Sequence, residues 1–505
     1  MKKIYWLLFV FLLIKVVLQF LVVNPVYELH RDEFLHLDQA KHLAWGFHSV
    51  PPFTSWVSWI ILQLGNSFFW IRFFPALFGA LTIFIVWKTI ESLKGGTYAY
   101  ILASTALLLS VLLRINILYQ PNAFDILAWT LIYFCVIRYV QTEKNKWLYF
   151  LAFSFALGFL NKYNIVFCLA GLLPAILLSK HRRVFLNKHL YYAIMLALVL
   201  ISPNLLWQYQ NDFPVIKHMK ELADTQLVHV QRSTFVKEQI LYFIGSIFII
   251  IAAFISFLKF ETFKPYRFLL FTFVLTITIF LALKAKPYYA LGLYPIFFAF
   301  GAVYFSKILN SGWKYYVRYV AFIPILFFGY ALVETSLPIY TPVQYEELAQ
   351  QKKPFTEHTW EDGKKHPISQ DFADMIGWKE LTHKVDSVYN LIPNKKTIFI
   401  LCDNYGQAGA INYYTQQKGL VANAFNTDYD KWLDLDRKIE TVIRIKNVNN
   451  VDFTRDRSLF QNVDVLTRLE TPLAREKGTQ VILLSKPEID IAALLRKERA
   501  EGKLD

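Results

Sequence analysis

The chain has 505 residues, of which 55% are hydrophobic, 17% aromatic and only 18% charged, against roughly 25% charged in soluble domains. From residue 340 onward there are 24 Lys and Arg against 25 Asp and Glu, whereas residues 1–339 hold 29 against 13, so the whole basic excess lies in the hydrophobic two-thirds. That partition excludes a single soluble enzyme, argues against a nucleic-acid binder, and predicts a multispanning membrane part followed by a neutral soluble domain.

In chain order, residues 4–23 form a first apolar run behind Lys2 and Lys3, long enough for the roughly 20 residues that a membrane helix needs. No small-residue cleavage site follows it, so it reads as an uncleaved span rather than a signal peptide. Further spans are predicted at 69–90, 97–117, 124–141, 147–161, 163–179, 189–208, 236–258, 267–283, 288–306 and 316–335, eleven in all. With the N-terminus in the cytoplasm, the inner loops carry Lys88 and Lys94, Lys144 and Lys146, Lys180 to Arg183, Lys259 to Arg267, and Lys307 to Arg318. Each is basic, as the positive-inside rule requires. An odd span count then places residues 340–505 outside the cytoplasm, together with the long loops 24–68 and 209–235. The predicted location is the bacterial inner membrane.

The run 147–161 is short, about 22 Å as a helix, against a hydrocarbon core of about 30 Å. The break Asn161-Lys162-Tyr163-Asn164 is therefore expected below the outer surface, where irregular polar backbone survives only inside protein or beside a cavity. Residues 340–505 read as a small α/β domain, with strands at 396–402, 440–446 and 480–485 and amphipathic helices at 371–391 and 490–499. Cys135, Cys168 and Cys402 give neither a disulfide framework nor metal-ligand spacing. The domain division predicted is 1–339 and 340–505.

Several residues could carry chemistry. Glu28, His30, Arg31, Asp32, Glu33 and His36 crowd the start of the first outer loop. Adjacent acids at a membrane surface can act as a general base or bind a cation; the plain alternative is a solvated loop end. His30, His36 and His48 could join Asp32 at a metal, although their spacing fits no tight ligand pattern. Arg72, Arg114, Lys162, Lys284 and Lys286 break the positive-inside rule. Cations in the apolar zone cost on the order of 2.5–3.5 kcal/mol at mid-membrane. Any one could snorkel to the interface; several together point to an anionic ligand such as a lipid phosphate. Asn122 and Asp125, at the second outer loop, are either helix caps or, for Asp125, a second acid.

The order of these features resembles the GT-C class of integral-membrane glycosyltransferases, in the branch of protein O-mannosyltransferases and bacterial lipid A aminoarabinose transferases. The matching pieces are Asp32-Glu33, Gly46 to Pro52, Arg72 in Ile71-Arg72-Phe73-Phe74-Pro75, and Gln120-Pro121-Asn122-Ala123. Asn161-Lys162-Tyr163-Asn164, Pro203 to Trp207 and Lys286-Pro287-Tyr288-Tyr289 complete the set, which covers residues 28–295. The resemblance implies a mostly α, multispanning GT-C-like fold, a polyprenyl-phosphate sugar donor, and an envelope glycan, lipid or protein acceptor. It maps the family's loop acid onto Asp32, with Glu33 beside it, and a donor-phosphate site onto Arg72, Lys162, Tyr163 and Lys286. The chain departs from the family pattern at Asn122, where relatives often carry Asp, and at Ser49-Val50, where many carry Asp-His. Asp403 to Ala410 resembles a recurring stretch in the soluble domains of bacterial members; its plain reading is a strand-turn-helix with Gly406 supplying the turn.

The expected reaction is inverting sugar transfer to an acceptor hydroxyl or phosphate at the outer face, with Asp32 as general base. No obligatory cofactor is expected, and a divalent ion near Asp32 and Glu33 is the secondary expectation. The competing reading is a transporter or flippase of an anionic lipid, which explains the buried cations but not the acidic pair or the outer domain. A ligand sensor ranks last, because no cytoplasmic output domain is present.

Overall fold

A computed structural model describes residues 2–351, 358–449 and 452–504. The chain divides into two compact units, the first made of residues 1–23, 44–57 and 64–339, the second of 24–43, 58–63 and 340–505. The expected division at 339/340 thus changes in one respect: residues 24–43 and 58–63 group with the C-terminal part. For the first of these segments the reason is local packing. The helix Arg31–Gln39 buries Phe34, Leu35 and Leu37, and the Phe34 ring lies 5.7–5.8 Å from the rings of Trp378, Tyr413 and Tyr414. The amide of Glu28 also donates to the carbonyl of Met375 at 2.7 Å.

The first unit is helical. Among the described residues, five helices are long and apolar enough to cross a membrane: Ile4–Leu21, Phe68–Ser92, Pro121–Thr142, Lys188–Gln210 and Lys314–Ser336. Two pairs qualify only together and bend sharply, Ile165–Leu177 with Lys180–Leu186 by 108° and Pro287–Leu293 with Pro295–Ile308 by 49°. Four shorter apolar helices, Thr97–Leu108, Lys146–Asn161, Ile247–Lys259 and Phe268–Ala282, reach only about 18–24 Å at 1.5 Å per residue. Length alone therefore gives five to seven crossings. Each of the eleven predicted stretches is nonetheless helical, several in two pieces. The stretch 97–117 breaks at Ser110, whose hydroxyl accepts from the amide of Leu112 and starts a new helix.

The helix Lys188–Gln210 leaves Tyr191, Ile194, Met195, Leu198 and Val199 exposed. Apolar side chains in that number on one helix suit a lipid environment rather than water. The protein is a membrane protein. Its interior is aromatic, with Trp87, Trp129, Tyr133, Phe243, Phe257 and Phe298 buried.

Among its described residues, the second unit contains seven strands: β1 His358–Thr359, β2 Lys365–His366, β3 Ile398–Cys402, β4 Ala422–Ala424, β5 Thr441–Lys446, β6 Phe460–Arg468 and β7 Gln480–Pro487. β1 and β2 form a short antiparallel hairpin, and the other five make one sheet in the order β4-β3-β5-β7-β6. β3 runs parallel to both β4 and β5, while β7 is antiparallel to β5 and β6. The predicted 371–391 helix is split into Gln370–Ala373 and Trp378–Leu391, because Gly377 sits at φ +91°, a conformation that side chains resist. β6 was not predicted; its mixed sequence FQNVDVLTR is half exposed, which leaves it no continuous apolar signal.

Candidate active site

The expected site residues fall in both units, and each group has its own geometry. In the first unit, two cations are tied to the second outer loop. Arg72 is buried; its Nη1 donates to the carbonyl of Ile117 at 2.7 Å, and its guanidinium lies 4.9 Å from the Phe68 ring. Lys162 interrupts the helices Lys146–Asn161 and Ile165–Leu177. Its Nζ donates to Asn122 Oδ1 at 2.7 Å and lies 4.3 Å from the ring centre of Tyr289 and 5.2 Å from that of Tyr288. Asn161 Nδ2 adds a bond to the carbonyl of Pro121 at 2.9 Å. The irregular backbone predicted at 161–164 is satisfied within the protein: the amide of Lys162 donates to the carbonyl of Gly158 at 2.8 Å, and the carbonyls of Lys162 and Tyr163 accept from the amides of Ile165 and Val166 at 3.3 and 3.1 Å.

Asp125 is buried in the first turns of Pro121–Thr142. Its oxygens accept from Trp129 Nε1 at 3.1 Å and Asn164 Nδ2 at 2.9 Å, and it lies within electrostatic range of Lys162. Asn164 Nδ2 also reaches the carbonyl of Tyr289 at 3.1 Å. Lys286 donates to Gln226 Oε1 at 2.6 Å and is close enough to Lys162 for the two charges to repel. Lys162, Lys286, Asp125 and Asn122 therefore share one region.

Tyr163 faces a different set of partners. Its hydroxyl donates to Asn204 Oδ1 at 3.0 Å and accepts from Gln208 Nε2 at 2.9 Å. Asn204 Nδ2 in turn donates to the carbonyl of Trp45 at 2.7 Å, and a Cβ on Gly46 would overlap the Trp207 indole. Three sequence motifs, around residues 46, 162 and 204, are joined by this one chain of contacts. Tyr163 thus ties the break at 161–164 to the helix Lys188–Gln210, and Asn204 ties that helix to Trp45.

The acidic loop belongs to the second unit. His30 is the N-cap of Arg31–Gln39: its ring accepts from the amide of Asp32, while the Glu33 side chain accepts from the amide of His30 at 2.6 Å. This is a reciprocal capping box built on histidine. Glu33 is fully buried in that role. Asp32 is half-buried; its Oδ1 accepts from the Tyr405 hydroxyl at 2.7 Å, and its Oδ2 lies 3.8 Å from His30 Nδ1. Burial alone would raise the Asp32 carboxyl, but the neighbouring His30 imidazole, the Arg31 charge and the Tyr405 hydrogen bond hold it at about 2. Asp374, buried below, lies 3.7 Å from His30 Nε2 and 2.9 Å from Arg475 Nη1. His36 is buried against Gln39 Oε1 at 3.1 Å, and burial lowers its pKa.

Glu33 Oε2 and His30 Nδ1, two of the atoms that could face a metal, are engaged in the capping box. Among the described residues, the group whose ligand atoms all lie within 4.8 Å is His48, His218 and Glu221. These two imidazoles and a carboxylate suit a divalent transition metal. His218 and Glu221 carried no signal in the sequence beyond being polar in a long outer loop. Tyr289, Asn164 and Tyr405 were legible only as members of motifs.

Residues 49–207 match the family of dolichyl-phosphate-mannose-protein mannosyltransferases. Lipid A galacturonosyltransferase RgtD of Rhizobium johnstonii is 27% identical over 195 residues, which is 37% of this chain and 41% of that protein. The match therefore spans less than half of that relative's length. The crystal structure of ArnT from Cupriavidus metallidurans in the apo state superposes with a TM-score of 0.63 at 12% identity, over 98% of this chain and 99% of that one. The same protein bound to undecaprenyl phosphate gives 0.61 at 12% identity, over 95% and 98%.

Proposed function

From a fold like that of ArnT and a 49–207 segment that matches the mannosyltransferase family model, we infer that the protein is a glycosyltransferase that transfers a sugar from a polyprenyl-phosphate donor to an envelope acceptor at the outer face of a bacterial inner membrane. The observation that carries this reading is Lys162: a lysine at a broken span, anchored by the neutral amide of Asn122, with Lys286 near it. Two cations in one low-dielectric region suit the phosphate of a lipid donor, and the undecaprenyl phosphate bound by ArnT supports that class of ligand.

In the proposed reaction the acceptor hydroxyl attacks the anomeric carbon from the face opposite the phosphate. The bond from that carbon to the phosphate oxygen breaks, and its electron pair leaves with the phosphate. Lys162 and Lys286, with Arg72 contributing from Ile117, stabilise the negative charge that develops there. The attacking oxygen becomes acidic as its bond to carbon forms, so it can lose its proton to a weak base. Asp32, ionised throughout the neutral range, takes that proton, and the anomeric configuration inverts. Asp125 balances part of the cationic charge and orients Asn164. No step requires a metal; a divalent ion, where one binds, has its best ligand set at His48, His218 and Glu221.

The test is transfer in detergent by the purified full-length protein. Radiolabelled undecaprenyl-phosphate-linked galacturonic acid, aminoarabinose and mannose are offered with lipid A and with total envelope extract. Label appearing on an acceptor supports the reading. Movement of donor across vesicles with no transfer from any of the three would return the flippase.

A further inference from the structure

The stretch Asp403 to Ala410 has no role in the reaction as drawn, and the plain reading of Gly406 as a turn residue does not hold. Gly406 lies inside the helix Tyr405–Tyr414 and is absent from the positive-φ glycines. Its use is close approach. An added Cβ at Gly406 would stand 3.1 Å from Arg31 Cβ, and one at Gly409 would stand 2.6 Å from Phe34 Cβ. The two glycines, one helical turn apart, let the helix Arg31–Gln39 lie directly against Tyr405–Tyr414.

That contact brings the Tyr405 hydroxyl to Asp32 Oδ1 at 2.7 Å, with the Arg31 guanidinium 4.5 Å over the Tyr405 ring. The start of the tyrosine's helix is itself fixed. Asn404 caps it by accepting from the amide of Gln407. Glu476, buried, accepts from Asn404 Nδ2 at 3.1 Å and Gln407 Nε2 at 2.7 Å. Asp403 is held by Arg444 at 2.6 Å and by the amide of Asn447 at 2.8 Å. A tyrosine that only needed a partner would not require both glycines, a capped helix start and a buried glutamate behind it.

We propose that Tyr405 is a positioning residue for Asp32: its hydroxyl fixes one carboxylate oxygen and with it the orientation in which the carboxylate meets the acceptor. The C-terminal domain is then a working part of the acidic loop. This rests on the assignment of Asp32 as the base. Its expected size is that of a hydrogen bond to a charged group, about 10–100-fold in rate.

The experiment is a double-mutant cycle on the full-length protein, with the undecaprenyl-phosphate sugar that the wild type consumes in the assay above. Tyr405→Phe keeps the ring under Arg31 and removes only the hydroxyl, so its melting temperature should stay within a few degrees of wild type. It is expected to lower kcat by about 10–100-fold with donor KM changed less than about twofold, and to have no further effect in an Asp32→Asn background. Wild-type kcat in Tyr405→Phe overturns the proposal. So does an equal fractional loss in both backgrounds, which would mark a structural effect independent of Asp32. Failure of the base assignment reads differently, because Asp32→Asn alone would then turn over normally.

Discussion

Lys162 and Asn122, forty positions apart, meet through a 2.7 Å hydrogen bond from Nζ to Oδ1. An aspartate at 122 would neutralise the lysine; the asparagine orients it, and Asp125 balances part of its charge from electrostatic range. Lys162→Met keeps the stem against Tyr289 and removes the charge. Donor KM should rise about 10–100-fold, the worth of one charge-assisted bond, while the melting temperature holds. Unchanged donor kinetics in a folded variant would take Lys162 out of the phosphate site.

Asp32→Asn preserves shape but accepts no proton. Single-turnover transfer should slow by about 10²–10⁴, with donor binding retained because the cations proposed to hold the phosphate are separate residues. Asparagine can still accept the Tyr405 hydroxyl through its amide oxygen, so wild-type turnover would return Asp32 to structure. Glu33→Gln weakens the bond to the His30 amide and should show first as lost stability.

The pH dependence has a definite sign. The folded carboxyl of Asp32 lies at about 2, below the roughly 3.9 of an unfolded chain. Its contribution to stability is therefore fully present above about pH 4 and is lost as pH falls toward 2. The base is also ionised across that whole upper range. Turnover should show no loss of Asp32 ionisation between pH 8 and 5, and melting profiles below pH 4 should be flatter in Asp32→Asn than in wild type. An acid limb centred above pH 5 that disappears in Asp32→Glu would contradict the assigned environment.

Gly409→Val tests the close helix contact. Its Cβ would meet Phe34 Cβ at 2.6 Å and the Phe34 backbone at 3.2 Å, and backbone cannot swing aside. Overpacking of this kind costs about 1–3 kcal/mol, so thermal unfolding should move several degrees lower, with transfer activity falling in step. A neutral substitution would mean that the two helices are not in register as described.

The sequence alone determined the class of the molecule. Long apolar runs, a basic excess confined to residues 1–339 and a neutral tail with three apolar strands are local signals, and local signals survive without a fold. They made the helices at 68–92, 121–142 and 188–210, strands β3, β5 and β7, and the break at Lys162 legible. The short spans were legible as helices but not as crossings, because hydropathy records composition and not the bend at residues 178–180 or 294. What only tertiary structure decided is which residues meet. Lys162 finds Asn122 and Tyr289, His48 finds His218 and Glu221, and Asp32 finds Tyr405 across 373 positions. No periodicity encodes such pairs, since each depends on where separate helices come to rest. Gly406 shows the reason most plainly: glycine is read from sequence as a turn, yet here its missing side chain makes room for another helix.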